Sequence, residues 1–244
     1  MGRGDHMAEC PESARRLLFA GDPHGKFCEV REAVAREAPD AVVMLGDYDL
    51  ERPLEEELSE VLEKCDVFWI AGNHDTDREH WHDHLFGSAL GKFNLHGRVT
   101  EICGLRIAGL GGVFRGKLWF PGQGVKFRGR REWLEANPRS AWWRGSIPRQ
   151  HRSSIWFEDY EALWDQRADV LVCHEAPSSH RHGFEAIDDL AEAMGVRLIV
   201  HGHHHVDYVG FAKNGIRVLG VGRGSVAKAD GRVIARRACH ADAI

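Results

Sequence analysis

Residues 67–75 read Val-Phe-Trp-Ile-Ala-Gly-Asn-His-Asp, an apolar run that stops at a glycine and continues into three polar side chains. A continuous apolar run of this length is typical of a strand buried on both faces, and glycine allows the chain to turn sharply where the run stops. The same form recurs in four other places, where the apolar runs are residues 17–20, 41–45, 170–173 and 198–201. The polar segments that follow these runs are Asp22-Pro23-His24, Gly46-Asp47, His174 and Gly202-His203-His204-His205. Ligand sites of open α/β sheets lie at the carboxyl ends of the strands, so we expect all five polar segments to gather along one edge.

Helical patterns separate the apolar runs, as in the stripe formed by Phe27, Val30 and Val34. This alternation of strands and helices predicts an α/β fold with a largely parallel central sheet. The end of the chain differs, because short apolar stretches between residues 206 and 235 are separated by the hairpin signals Asn214-Gly215 and Asp230-Gly231. We expect antiparallel strands in that region.

The bulk composition is that of an ordinary globular protein. The 244 residues are enough for one large domain, and we expect residues 1–244 to form a single domain in which residues 1–7 are a cloning remnant.

No apolar run approaches the roughly 20 residues of a membrane span. The net charge of −5 does not indicate general affinity for DNA, so no stable DNA partner is expected. Six scattered cysteines favour reduced thiols and a cytoplasmic location. The oligomeric state is left open.

The polar residues at the strand ends suit a pair of metal ions. Imidazole and carboxylate ligands bind manganese, iron or zinc, and the chain has sixteen histidines. Two divalent ions about 3.5–4 Å apart can stabilise both the attacking and the leaving oxygen of an in-line displacement. We expect two divalent metal ions as cofactors, with manganese as the first choice and iron or zinc as alternatives.

Taken in order, the five segments resemble the pattern of the calcineurin-like metallophosphoesterases, which is D-x-H, G-D, G-N-H-D, a lone histidine and G-H-x-H. The resemblance implies a four-layer α/β/β/α sandwich of two mixed sheets flanked by helices. It also implies that one aspartate, Asp47, bridges the two metals. The first metal would be held by Asp22, His24, Asp47 and His205, and the second by Asp47, Asn73, His174 and His203. His74 would act as a general acid or transition-state stabiliser, Asp75 would orient it, and a metal-bound hydroxide would attack the phosphate ester.

One departure from related enzymes affects the substrate. Protein phosphatases of the superfamily have an arginine shortly after the second motif, whereas Asp47 is followed by Tyr48-Asp49-Leu50-Glu51-Arg52, with the arginine out of register. This slightly favours a phosphodiesterase acting on nucleotide-like substrates. The alternatives are a phosphomonoesterase acting on metabolites or proteins, and a catalytically silent scaffold of the same fold. The net negative charge argues against a nuclease that binds long DNA unaided.

The stretch 114–153 interrupts the strand–helix pattern with ten Lys or Arg, two acidic residues and four tryptophans. One interpretation is that arginines stack on tryptophans and simply fold this insertion. The other is that it forms a cationic wall over the metals and binds phosphate or a base. On the second interpretation the candidate substrate-binding residues are Arg115, Lys117, Arg128, Trp142 and Arg152. Glu175 either supports the metal ligands from behind or has no such role, and His204 is expected to point away from the metals.

Overall fold

The computed structural model describes residues 16–237, so the expected cloning remnant at residues 1–7 lies outside the described part of the chain. The strands are β1 Leu17–Ala20, β2 Ala41–Met44, β3 Asp66–Trp69, β4 Val99–Ile102, β5 Leu105–Leu110, β6 Trp119–Phe120, β7 Gly124–Val125, β8 Val170–Cys173, β9 Leu198–His201, β10 Tyr208–Phe211, β11 Arg217–Gly220, β12 Val226–Lys228 and β13 Val233–Ala235. The α-helices are α1 Cys28–Glu37, α2 Leu54–Glu57, α3 Ser59–Leu62, α4 Glu79–Phe86, α5 Arg130–Ala136, α6 Phe157–Trp164 and α7 Glu185–Met194. Within residues 16–237 no helix combines the length and the apolar character that crossing a membrane requires.

Two large mixed sheets form the centre of the molecule. The first has the strand order β13-β12-β1-β2-β3, and the second has the order β10-β11-β9-β8-β5-β4. Strands β1, β2 and β3 are parallel, as are β5, β8, β9 and β11. Antiparallel strands complete one edge of the first sheet, with β12 and β13, and both edges of the second, with β4 and β10. The two hairpins predicted from Asn214-Gly215 and Asp230-Gly231 are confirmed as β10–β11 and β12–β13, although the two hairpins belong to different sheets.

Side chains that alternate along each strand fill two different cores. In β1, Leu17 and Phe19 pack into the core between the sheets, whereas Leu18 and Ala20 pack with residues of the helical segments beside the first sheet. Side chains alternate in the same way along β8, where Val170 and Val172 pack into the core between the sheets. Leu171 and Cys173 pack on the outer face with residues of α6 and α7. The predicted α/β/β/α sandwich of two mixed sheets flanked by helices is therefore confirmed.

The segment 114–153 lies between β5 and α6 and contains the β6–β7 hairpin, α5 and two short 3₁₀ helices, Arg139–Ala141 and Arg149–Ser153. It has a small apolar core of its own, in which Leu118, Trp133 and Ile147 pack with Trp156. Its ends are fastened to each other, because Val113 N–H donates to the carbonyl of Ser153 at 3.0 Å. The segment thus begins and ends at one place beside the carboxyl end of β5.

Candidate metal centre

The first group of potential ligands comes from loops after β1, β2 and β9. The ligand atoms of His24, Asp47 and His205 lie within 4.8 Å of one another. Nε2 of His24 is 3.2 Å from Nε2 of His205 and 4.0 Å from Oδ2 of Asp47. Asp22 adjoins this group, with its Oδ2 3.7 Å from Nε2 of His205. The structure thus brings together the four residues that the sequence assigned to a first metal.

The second group shares Asp47 with the first. The ligand atoms of Asp47, His174 and His203 lie within 4.8 Å of one another. Nε2 of His174 is 3.4 Å from Oδ2 of Asp47 and 3.1 Å from Oδ1 of Asn73. The same oxygen, Oδ2 of Asp47, therefore faces a histidine of each group.

The hydrogen bonds of two histidine rings make this a fitting site for cations. Nδ1 of His174 donates to the carbonyl of Leu45 at 2.8 Å, which fixes the ring with its Nε2 toward the oxygens of Asp47 and Asn73. Nδ1 of His24 is likewise bound by Asp49 at 3.0 Å, so that its Nε2 faces Nε2 of His205. Both rings therefore present Nε2 to the other ligand atoms, and this is the nitrogen through which a neutral imidazole can bind a cation.

Burial strengthens this conclusion. Asp22 and Asp47 are 0% and 1% exposed, and Oδ1 of Asp22 is buried without a hydrogen-bond partner among the described residues. Burial, with the nearby charge of Asp47, raises the pKa of Asp22 to about 7. Burial also disfavours a charged His174, but the carboxylates of Asp47 and Asp22 raise the pKa of that ring to about 10. Adjacent buried carboxylates with an unpartnered oxygen are the environment that a bound divalent cation stabilises.

Many of these residues have left-handed backbone, which L side chains rarely adopt. The positive φ angles are 33° at Asp22, 42° at His24, 56° at Asp47, 69° at His203 and 58° at His205. Such strain persists only where surrounding structure enforces it, and it concentrates at functional sites. The two packed sheets supply that enforcement here.

Two glycines leave room for the carboxylates. A Cβ at Gly72 would overlap Oδ1 of Asp47, and a Cβ at Gly202 would come within 2.5 Å of Oδ1 of Asp22. These two strand-end glycines therefore keep bulk away from the carboxylates.

His74 is placed as expected, but its partner is not. Its N–H donates to Oδ1 of Asp47 at 2.9 Å, its side chain is 46% exposed, and its Nδ1 contacts Oδ2 of Asp77 at 2.7 Å. The expected contact between Asp75 and His74 is not formed. Instead, the buried Asp75 carboxylate accepts backbone N–H groups of Asp47, Tyr48 and Gly72 and fixes the two loops to each other. Sequence spacing gave no signal for Asp77, because the direction of a side chain in a tight turn does not follow from the residue types.

A third cluster lies beside the second ligand group. The ligand atoms of Glu175, His203 and His204 lie within 4.8 Å of one another, and Oε2 of Glu175 is 3.9 Å from Nε2 of His203. Burial raises the pKa of Glu175 to about 7. His204 belongs to neither of the first two groups and stacks on His180 at a ring distance of 3.8 Å. Glu175 is therefore placed to support His203 from behind.

The five candidate substrate-binding residues of the insertion fall in different places. Arg128 pairs with Glu161 and lies over the ring of Phe157. Nε1 of Trp142 donates to the carbonyl of Asn137, and its ring packs against the small core of the insertion. Arg152 lies over the ring of Trp143. Lys117 is on the exposed surface. The charged neighbours of Arg115 are Asp77 and Glu175, two carboxylates of the site region.

A four-layer sandwich with aspartate, asparagine and histidine side chains gathered at the strand ends is the arrangement of a metal-binding hydrolase. The family model of calcineurin-like phosphoesterases matches residues 15–207, and the chain belongs to this family. An uncharacterized protein of Haemophilus influenzae is 42% identical over 218 residues, which are 89% of this chain and 96% of that protein. The crystal structure of TT1561 of Thermus thermophilus is similar in fold, with a TM-score of 0.57 at 14% identity over 89% of this chain and 96% of that one.

The contact between His74 and Asp77 predicts that loss of the Asp77 carboxylate lowers kcat and leaves the metal content unchanged. Asp77→Ala removes the group that orients the His74 ring, whereas Asp75→Ala removes the three hydrogen bonds that join two loops. We expect Asp77→Ala to lower kcat by about tenfold or more, since a positioned general acid commonly contributes 10²–10⁴-fold. Its metal content and melting temperature should match those of the wild type, whereas Asp75→Ala should lower the melting temperature. Steady-state kinetics, elemental analysis and thermal unfolding check this, and an unchanged kcat for Asp77→Ala would contradict the assignment.

The close approach at Gly72 predicts that a single methyl group disturbs Asp47. In Gly72→Ala the new Cβ overlaps Oδ1 of Asp47, so we expect lower metal content and at least a tenfold loss of activity, in line with displacement of a ligand. Gly91→Ala is the matched control, because the nearest atom to a Cβ there is the carbonyl oxygen of Phe86 at 3.8 Å. Equal metal content and activity in the two variants would show that the Asp47 loop tolerates the displacement.

Proposed function

We propose that this protein is a phosphoesterase that depends on two divalent metal ions. The observation that carries the proposal is the position of Asp47, whose Oδ2 faces His174 at 3.4 Å and His24 at 4.0 Å in two separate ligand groups. Family membership supports the same activity. We assign the remaining ligands by group. One metal would be held together with Asp47 by Asp22, His24 and His205, and the other by Asn73, His174 and His203.

Bound ions would supply Lewis acidity and a water molecule acidified enough to lose a proton near neutral pH. The chain's own residues orient the ester and manage the proton of the leaving group. Asp77 accepts a hydrogen bond from Nδ1 of His74, so that the half-exposed ring in its protonated form can give its Nε2 proton to the oxygen that departs when the P–O bond breaks, and becomes neutral. The hydrogen bond from His74 N–H to Asp47 fixes the distance between this donor and the shared carboxylate.

The finer proposal is a slight preference for phosphodiesters of the nucleotide type. It is supported by the exposed His74 and by Arg52, which pairs with Glu57 at 2.9 Å instead of entering the site. The tryptophans of the insertion lend it less support than the sequence suggested, because arginines lie over Trp142 and Trp143. A phosphomonoesterase is the alternative within the same chemistry.

Manganese is proposed as the metal, with iron and zinc as alternatives. A cytoplasmic location is also proposed, and it is supported by the free thiols Cys28, Cys65, Cys103 and Cys173.

The test compares two chromogenic esters with Mn²⁺ supplied. We expect turnover of bis-p-nitrophenyl phosphate to exceed that of p-nitrophenyl phosphate, and we expect chelation of the metal to abolish both. Asp47→Asn is the blank, since it keeps the Oδ1 acceptor for His74 but removes the shared charge. Its activity should fall by at least about 100-fold, the usual loss when one electrostatic contact to a transition state is removed.

Each outcome separates the proposals. Faster cleavage of the monoester would overturn the diester preference and support the phosphomonoesterase. Wild-type rates equal to those of Asp47→Asn on both esters, in metal-loaded protein, would contradict the enzyme and support the catalytically silent scaffold.

A further inference from the structure

The cations of the 114–153 insertion are largely occupied by partners within the protein. Four of its arginines form ion pairs, namely Arg128, Arg130, Arg131 and Arg144. Arg149 donates to the carbonyl oxygens of Thr76 and Asp77, and Arg139 and Arg152 lie over tryptophan rings. These contacts fold the insertion and fasten it to the loop that carries His74. Within the described residues, Arg115, Lys117 and Lys126 are the cations of the insertion whose side chains have neither an ion pair, nor such a hydrogen bond, nor a tryptophan ring beneath them.

Arg115 differs from the two lysines because its backbone is fixed between the loops of the metal centre. Gly112 N–H donates to the carbonyl of Ala71 at 2.6 Å, which joins the Arg115 segment to the loop of His74. Phe114 N–H donates to Oε1 of Glu175 at 3.2 Å, which joins it to the loop of His174. Lys117 and Lys126 are on the exposed surface.

The guanidinium of Arg115 is half-buried and forms no ion pair with a carboxylate of residues 16–237. Its Nε is buried without a hydrogen-bond partner among the described residues. The carboxylates that interact with the charge of this guanidinium are Asp77 and Glu175. Asp77 contacts His74, and Oε2 of Glu175 is 3.9 Å from Nε2 of His203. Burial lowers the pKa of Arg115 from its usual value, but a guanidinium remains charged at neutral pH. A half-buried cation with unfilled donors is costly until an anion binds to it.

We propose that Arg115 binds the non-bridging oxygens of the substrate phosphoryl group. This inference rests on the proposed function, since it assigns the anion that fills the free donors of a guanidinium whose charged neighbours are Asp77 and Glu175. Arginine presents its N–H groups as a planar fork that matches two phosphate oxygens. Arg152 also has a buried Nε without a partner among the described residues, but its guanidinium lies over Trp143 and its charged neighbours are the cations Arg130 and Arg144. We therefore assign the role to Arg115, whose charged neighbours are carboxylates of the site region.

A purely internal role is the competing explanation. In that case Arg115 only balances the charges of Asp77 and Glu175, and its loss alters the orientation of His74 or the retention of metal. Phosphate affinity separates the two roles, because a counter-charge contributes to kcat or metal content, whereas a phosphate-binding residue contributes to KM and to the affinity for inorganic phosphate.

The experiment uses metal-loaded wild type, Arg115→Met and Arg115→Lys, with Arg131→Met as a matched control. Arg131 is in the same insertion and pairs with Glu135 on the exposed face of α5, so its loss removes the same charge away from the centre. We expect Arg115→Met to lower the affinity for inorganic phosphate by about 10- to 100-fold, the usual effect of losing a charge-assisted hydrogen bond. The affinity is measured by calorimetry and by the inhibition constant of phosphate as a competitive inhibitor. KM should rise with it, while metal content and melting temperature stay at the values of Arg131→Met. Arg115→Lys, which keeps the charge but not the fork, should be intermediate.

Unchanged phosphate affinity in Arg115→Met, with either reduced kcat or reduced metal content, would overturn the proposal in favour of the counter-charge. If Arg115→Met is unstable, Arg115→Lys decides alone, because wild-type phosphate affinity in that variant also overturns binding by the fork. The calorimetric measurement needs no turnover. A wild type that binds phosphate through Arg115 but cleaves no ester would therefore refute the proposed function, while still showing that Arg115 binds a phosphate group.

Discussion

The shared carboxylate of Asp47 is the constraint on which the rest of the site depends. One of its oxygens accepts the N–H of His74, and the other faces His24 and His174, which come from different sheets. To hold this position, Asp47 is buried and has left-handed backbone. Gly72 must lack a side chain to make room for it, and the Asp75 carboxylate must bind the N–H groups of both loops. A change at any of these contacts moves both ligand groups together.

The site exists only because two sheets pack face to face. Loops of the first sheet carry Asp22, His24, Asp47 and Asn73, and loops of the second carry His174, His203 and His205. The two sets meet across the core between the sheets, where side chains such as Phe19 and Val172 are fully buried. Because interiors are packed to near-crystalline density, this core fixes the distance between the sets closely. The strained backbone of the ligands is thus held by packing some distance away from them.

Much of this architecture could be predicted from the sequence, because it follows from local patterns. Unbroken apolar runs that stop at glycine marked the central strands, and the polar residues after them marked the ligands that the structure brings together. Other features depend on tertiary contacts. Whether Asp75 or Asp77 meets the His74 ring is decided by a tight turn in which Asp75 is buried and Asp77 half-exposed. The insertion was harder still, since four tryptophans among basic residues fit both base stacking and internal cation–π contacts, and only the structure shows arginines over Trp142 and Trp143.

The number of metal ions per chain tests the central claim most directly. The apoprotein would be reconstituted with Mn²⁺, freed of excess metal and measured by elemental analysis beside His24→Ala and His203→Ala, which each remove a ligand from one group. The account predicts two ions per wild-type chain and about one in each variant, because Asp47 and the intact group still hold an ion. One ion per wild-type chain, or loss of all metal in both variants with their folds intact, would contradict a centre of two ions arranged around a shared Asp47.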